Sequence, residues 1–342
     1  MKHTLREISD QEFLEFAHTA DHTNYLQSAE MARLRRARGY TTEFIGLFAV
    51  DSSGKRLVLA ALLTSKPAAI GPIFQIDGGP IGDLDHLKAF LESLHPYLKK
   101  KGAIFCQITP HMILQNLSSE GEITATHNQT PLKVLEENCV ESPVNFSAQL
   151  PWQYIKNLEG LDAESLLMSF NQTSRQMYKK GLKSHLVVEE EKDFADLVKL
   201  FEITADRQNF SDKGIEYYTE LRKAFGQRVR FITVRKDNEV IAGGAFILDN
   251  DELIHLFGGS KKEFSGSTGA PTFLQVYAMR LAIREGFNKY NFYGISGNFD
   301  GSDRILRFKQ AFRGEIEHYP EPFDLIISKL KYKLWRTIST RK

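Results

Sequence analysis

The chain has 342 residues, 42% apolar and 25% charged, proportions of a soluble globular protein that exclude a disordered or fibrous architecture. That length exceeds one ordinary core and fits two compact domains. Its 44 Lys plus Arg against 43 Asp plus Glu give a formal charge of +1, which argues against a protein that coats itself in nucleic acid and leaves basic patches to be found one by one.

The N-terminal stretch MKHTLREISDQEF is polar and has no apolar signal core, and no run approaches bilayer-spanning length, so a cytoplasmic location is expected. Residues 44–65, FIGLFAVDSSGKRLVLAALLTS, read as a β-hairpin, with apolar β-branched and aromatic runs on both sides of a polar turn carrying Gly54. A Gly/Pro loop (IGPIFQIDGGPIGD), an amphipathic helix (DHLKAFLESLHPYLKKKG) and a strand (AIFCQIT) follow. Two prolines and a change of character in SPVNFSAQLPWQYIK set a boundary near Pro151, giving domains 1–150 and 151–318.

Past that boundary, NQTSRQMYKKGLKSHLVVEEE places Arg175, Lys179 and Lys183 at i, i+4 and i+8 on one helical face, either a phosphate-binding stripe or a solvated surface. Residues 229–250, VRFITVRKDNEVIAGGAFILDN, repeat the hairpin with RKDNE as the turn. The strand ELIHLFGGS, the loop SGSTGAP, the helix TFLQVYAMRLAIREG and the strand KYNFYGIS then repeat the order of the first half. In both copies a charged helix end meets a glycine, Gly102 or Gly286, suited to the left-handed closing position. Residues 319–342 follow the last strand of the second copy and are expected to pack back on the first domain. Their tail, SKLKYKLWRTISTRK, carries six cations and no acid, with Leu330, Leu334 and Ile338 at helical spacing. Packing of that stripe on the protein is favoured over contact with an anionic membrane surface or RNA.

One unit of hairpin, further strand, glycine loop, helix and strand thus occurs twice, an α/β architecture of mixed twisted sheets flanked by helices. It resembles the N-acyltransferase fold called GNAT, in tandem. Other chemistries lack their motifs. Cys106 and Cys139 show no CxxC spacing, no HExxH occurs, and His255 within LIHLFGG reads as a satisfied, partly buried histidine. Neither a GxSxG elbow nor a GxxxxGK[ST] loop is present. SGSTGAP has no Arg or Lys between its glycines, where acyl-CoA-using GNAT proteins carry a basic pyrophosphate loop, and this weakens a CoA reading.

Three stretches carry a more specific likeness. They are LQSAEMARLRRARGY with Gln27, Arg35 and Gly39, the basic helix and Val-rich strand from Arg175 to Val188, and NFYGISG followed by RFKQAFRG. In that order on a tandem frame they resemble the Fem family (FemA, FemX and relatives), nearest its shorter FemX-like members, because no coiled-coil insertion interrupts the second domain. The chain departs from the family pattern at Met31, usually Trp, and at Tyr293 and Arg313, where glycine is usual. Phe257 stands where a substrate-facing tyrosine would sit, and Arg35 and Lys213 exchange the expected Lys and Arg, keeping charge but changing hydrogen-bond geometry.

Fem enzymes use aminoacyl-tRNA to attach amino acids to the stem peptide of peptidoglycan precursors. The resemblance therefore implies attack of a stem-peptide lysine ε-amine on the ester carbon of an aminoacyl-tRNA, by a monomeric enzyme that needs no cofactor, ATP or metal. The acceptor is UDP-MurNAc-pentapeptide or its lipid-linked form, lipid II. Lys309 is implied as the cation that stabilises the oxyanion, with Phe308 as its aromatic wall; an unperturbed lysine stays protonated at neutral pH and is a poor base. Arg35, Lys213 and Tyr217 match positions that hold the diphosphate and sugar of the precursor, and Phe257 either lines the same cleft or is core. Arg175, Lys179 and Lys183 are the candidates for the tRNA acceptor end, assigned to the second domain, with precursor binding in the first. Two readings stay open beside this one: an acyl-CoA-dependent or tRNA-dependent N-acyltransferase acting on a small metabolite or peptide, and a non-catalytic wall-precursor or RNA-binding protein on the same frame.

Overall fold

Two long antiparallel hairpins organise the structure, a computed structural model that describes residues 2–52, 54–191, 194–208 and 212–339. Each hairpin belongs to one of two compact units. Met1–Gln115, Thr126–Pro151 and His318–Lys342 form the first, and Asn116–Ala125 with Trp152–Glu317 the second.

In the first unit Thr41–Asp51 pairs with Gly54–Ala68, since apolar strand-forming runs flank a short polar turn. Lys2–Ile8 adds to one side of the hairpin and Gly71–Asp77 to the other, both antiparallel. Phe105–Thr109 runs parallel to Gly71–Asp77, a pairing that needs a crossover, here the helix Leu87–Lys100. That helix buries Leu87, Phe90, Leu91, Leu94 and Leu98, the stripe of an amphipathic helix on a sheet. The turn after it closes at Gly102, whose φ of +71° suits glycine. Phe323–Ile326 then pairs antiparallel with Phe105–Thr109, so the C-terminal segment is part of this core.

The second unit repeats the plan. Val229–Lys236 pairs with Glu239–Asp249, and Glu252–Ser260 continues the sheet. After the helix Ala270–Arg284, the strand Lys289–Gly294 lies parallel to Glu252–Ser260. Trp152–Asn157 pairs with the far side of Lys289–Gly294.

Three expectations are corrected here. Residues 116–125, expected in the first domain, belong with the second unit, because Gln115–Leu117 and Ile123–Thr126 extend the edge of its nine-stranded sheet. SGSTGAP is not an open loop: Lys262–Thr268 is helical, and Gly269 at φ +72° joins it to the next helix, where a side chain would collide with the carbonyl of Met177. The tail forms the helix Lys329–Ser339, but Leu330, Leu334 and Ile338 do not pack. They are 81%, 49% and 51% exposed, whereas Tyr332 and Trp335 are buried. A helix buries one face, and the two aromatic rings win it, with Phe105 centred 5.3 Å from Tyr332 and 4.6 Å from Trp335. Tyr332 also donates to Asp324 Oδ2 at 2.7 Å. Among the described residues no helix is long and apolar enough to cross a membrane.

Trp335→Ala is expected to destabilise by about 3 kcal/mol in equilibrium urea unfolding, while Leu330→Ala on the exposed face changes stability by less than about 0.5 kcal/mol.

Candidate active site

The strands Glu252–Ser260 and Lys289–Gly294 pair at Glu252↔Lys289, Leu253↔Tyr290 and Ile254↔Asn291. Just beyond, Leu256 is the extra residue of a β-bulge against Ala245 and Phe246, which bends the strand away from a straight ladder. Lys309 meets the end of the second of these strands, and Phe257 follows the bulge in the first.

Lys309 lies on the helix Arg304–Gln310, which starts where the Asp303 carboxylate accepts from the backbone N–H groups of Ile305 and Leu306, at 2.7 and 3.0 Å. The same carboxylate accepts from Ser296 Oγ at 2.7 Å, so one side chain both caps the helix and fixes the glycine-rich turn before it. Leu306 and Lys309, three residues apart, form the buried face of the helix. Only 7% of Lys309 is exposed. Its Nζ donates to the carbonyl oxygens of Tyr293 at 3.1 Å and Gly294 at 2.5 Å, which occupies two of the three donors of an ammonium.

Burial pushes the Lys309 amine down to about 7, with the charge of Asp303 opposing the drop. This corrects the expectation of an unperturbed, permanently protonated lysine: desolvation penalises the charged form, and no carboxylate ion-pairs with it among the described residues. The neighbouring Phe308, half-buried, has its ring edge-on to Phe312, with centroids 5.4 Å apart. His255 is held neutral, at about 3, by burial and then by the nearby Lys309 charge. It stacks on Phe246 at 4.7 Å, and its buried Nε2 has no hydrogen-bond partner among the described residues, so it is not fully satisfied.

Both positions where glycine was expected have left-handed backbone: Tyr293 at φ +64° and Arg313 at φ +53°. Asn291 Oδ1 accepts from the Tyr293 N–H at 2.7 Å and supports that turn. Lys156, which sequence reasoning missed, is buried and donates from Nζ to the Arg313 carbonyl at 3.0 Å. Burial, then the charge of Arg313, lowers its pKa. A lysine inside the strand WQYIKN was the available signal. Gly314 is required by contact, since a side chain there would collide with the carbonyl of Ile155.

Lys213 is exposed at the start of the helix Gly214–Phe225. Phe257 is half-buried, with ring centroids 5.8 Å from Tyr217 and 5.4 Å from Tyr218, so Tyr217 and Phe257 come together. Asp212, also missed, accepts from the Tyr218 hydroxyl and the Gly214 N–H, each at 2.7 Å, and fixes this corner. On the helix Gln172–Lys183, Lys179 and Lys183 are exposed. Arg175 differs: its guanidinium donates to the carbonyls of Met168 and Phe170.

Arg35 stands in the first unit. Its Nη2 pairs with Asp77 Oδ2 at 3.0 Å and its guanidinium lies 5.1 Å over Tyr40. Lys66 lies 4.2 Å over the same ring. Asp77 also accepts from the Ala148 N–H at 3.0 Å and from Ser147 Oγ. Gln27 is buried and bridges strands, donating to the Asp77 carbonyl at 2.7 Å and accepting from Leu62 N–H at 2.6 Å. Met31 is core. No cluster that could hold a metal ion occurs among the described residues.

The sequence matches the FemAB family over residues 8–236 and 230–340. It is 24% identical to aminoacyltransferase FemA of Staphylococcus epidermidis over 415 aligned positions, covering 98% of this chain and 99% of the relative. FemA of Staphylococcus aureus (strain MW2) is 23% identical, with 98% of each chain covered. An alignment of 415 positions against 342 residues means that the FemA relatives carry extra residues within the matched span. The fold is similar to the crystal structure of FemX, with a TM-score of 0.78, 17% identity, and 98% of this chain and 99% of that one covered. It is also similar to a tandem GNAT protein from the clavulanic acid biosynthesis pathway, with a TM-score of 0.59, 11% identity, and 96% and 99% covered. The expected tandem GNAT-like α/β fold is the fold observed.

Two substitutions test the local geometry by thermal unfolding. Asp303→Ala is expected to cost about 1–2 kcal/mol through loss of the helix cap. Arg313→Gly is expected to stabilise by about 1 kcal/mol, because glycine takes the left-handed conformation without strain.

Proposed function

This chain belongs to the FemAB family, and we propose that it transfers an amino acid from aminoacyl-tRNA to the stem-peptide lysine ε-amine of a peptidoglycan precursor, in interpeptide-bridge synthesis. The observation that carries a catalytic reading is the buried Lys309 amine, held by two backbone carbonyls with one donor left over. An ester is already activated, so the work lies in alignment and in charge stabilisation. The stem-peptide ε-amine, in its neutral form, attacks the ester carbon, the carbonyl oxygen gains negative charge, and collapse expels the ribose oxygen of the tRNA, which takes up the proton that the amine loses. The third N–H of Lys309 is the group that meets the developing oxyanion. Low-dielectric surroundings make such a contact far stronger than in water. Phe308, whose ring packs on Phe312, is assigned to shield the site from solvent.

Substrate roles follow the same reading. Lys213, Tyr217 and Phe257 are assigned to the precursor, whose diphosphate suits an exposed lysine and whose sugar suits an aromatic surface. Arg35 is assigned to it too, with its guanidinium oriented by Asp77; the bidentate fork fits phosphate. Exposed Lys179 and Lys183 are assigned to phosphates of the tRNA acceptor end, with Arg175 holding the helix start. The tRNA acceptor end is assigned to the second unit. An acyl-CoA donor is disfavoured because Gly269, in the segment that would hold a pyrophosphate, packs on the Met177 carbonyl and no cation lies between the glycines.

Incubation with a pool of charged tRNAs and each precursor form, followed by mass measurement of the product, tests the reaction. Lys309→Met is expected to lower kcat by on the order of a hundredfold; undiminished transfer would remove Lys309 from the mechanism. Because its amine titrates at about 7 and the charged form is the active one, the ratio of unmodified to Lys309→Met rates should fall as pH rises through that value. Taking the ratio cancels the titration of the attacking amine. A ratio that rises instead would make Lys309 the base.

A further inference from the structure

The helix Lys329–Ser339 has two unlike faces. Tyr332 and Trp335 are buried, while Leu330, Leu334 and Ile338 are 81%, 49% and 51% exposed. Helical periodicity lines these three up in one stripe and places Lys329 and Lys333, both exposed, in the adjoining row, while Arg336 shares the row of buried Tyr332. From Ser328 to Lys342 the sequence has six cations and no acid. Lys331 Nζ donates to the Gly102 carbonyl at 3.3 Å, which brings this helix beside the exposed Lys99 and Lys100 just before Gly102.

We propose that this helix seats the protein on an anionic lipid surface. Leu330, Leu334 and Ile338 enter the headgroup boundary, and the bordering cations meet lipid phosphates. An amphipathic helix with aliphatic residues on one side and Lys/Arg beside them gains from both terms at such an interface. RNA would use the cations and leave three aliphatic side chains in water. A second copy docking through the same face would set like charges against one another. Only the lipid surface satisfies both halves of the face, whatever reaction the chain performs.

Co-sedimentation of the full chain with vesicles of phosphatidylcholine alone, or with an equal part of phosphatidylglycerol, tests this. Two bordering cations predict on the order of a thirtyfold preference for the anionic vesicles, reduced by salt. Leu330→Ser/Leu334→Ser is expected to weaken binding about tenfold with an unchanged melting temperature, and Lys329→Glu/Lys333→Glu to remove the preference for phosphatidylglycerol. No binding, equal binding to both vesicle types, or full binding by the serine variant would overturn the proposal. So would RNA binding or self-association that these variants abolish while vesicle binding is missing.

Discussion

A lysine amine donating to the carbonyl oxygens of Tyr293 and Gly294 ties the helix Arg304–Gln310 to the end of a central strand. Burying that amine is unfavourable and pushes its pKa down to about 7, and the surrounding structure is arranged to hold it. Asp303 starts the helix and contributes the opposing charge. Leu306 anchors the same face in the core. Such a group is expensive to keep and gains little for stability alone, which is why a perturbed lysine beside a strand divergence reads as chemistry.

The two left-handed residues belong to the same arrangement. Tyr293, at φ +64°, offers its carbonyl to Lys309, and Arg313, at φ +53°, offers its carbonyl to Lys156. Each strained peptide is thus held by a buried lysine. Strain that surrounding contacts over-determine is a recurrent feature of functional sites. Here it aims carbonyl oxygens at the two amines, a task that needs backbone conformation and not a particular side chain. That explains why Tyr and Arg stand at positions suited to glycine without disrupting the fold.

The repeated unit was legible because its signals are local: apolar runs around charged turns gave both hairpins, and Gly102 and Gly286 marked the helix ends. Family likeness, and not periodicity, singled out Lys309, since a lysine between aromatics looks like a solvated core edge. Its burial was illegible because it depends on the fold around the helix, which no local pattern encodes. Gln115–Leu117 and Ile123–Thr126 were missed because such short, polar strands have no signal without a partner edge. In the tail, spacing found the apolar stripe but not the face that packs. Tyr332 and Trp335 lie three apart and cover more area than the leucines, so they decide which way the helix turns.

The mechanism depends on Lys309 being a buried amine that titrates near neutrality. Labelling the lysine side chains with 13C at the ε-carbon and following their NMR shifts against pH measures this directly, with Lys309→Met assigning the resonance. One lysine with a midpoint at about 7, missing from the variant, is the predicted result. A Lys309 resonance titrating with the surface lysines, above about 10, would contradict the account.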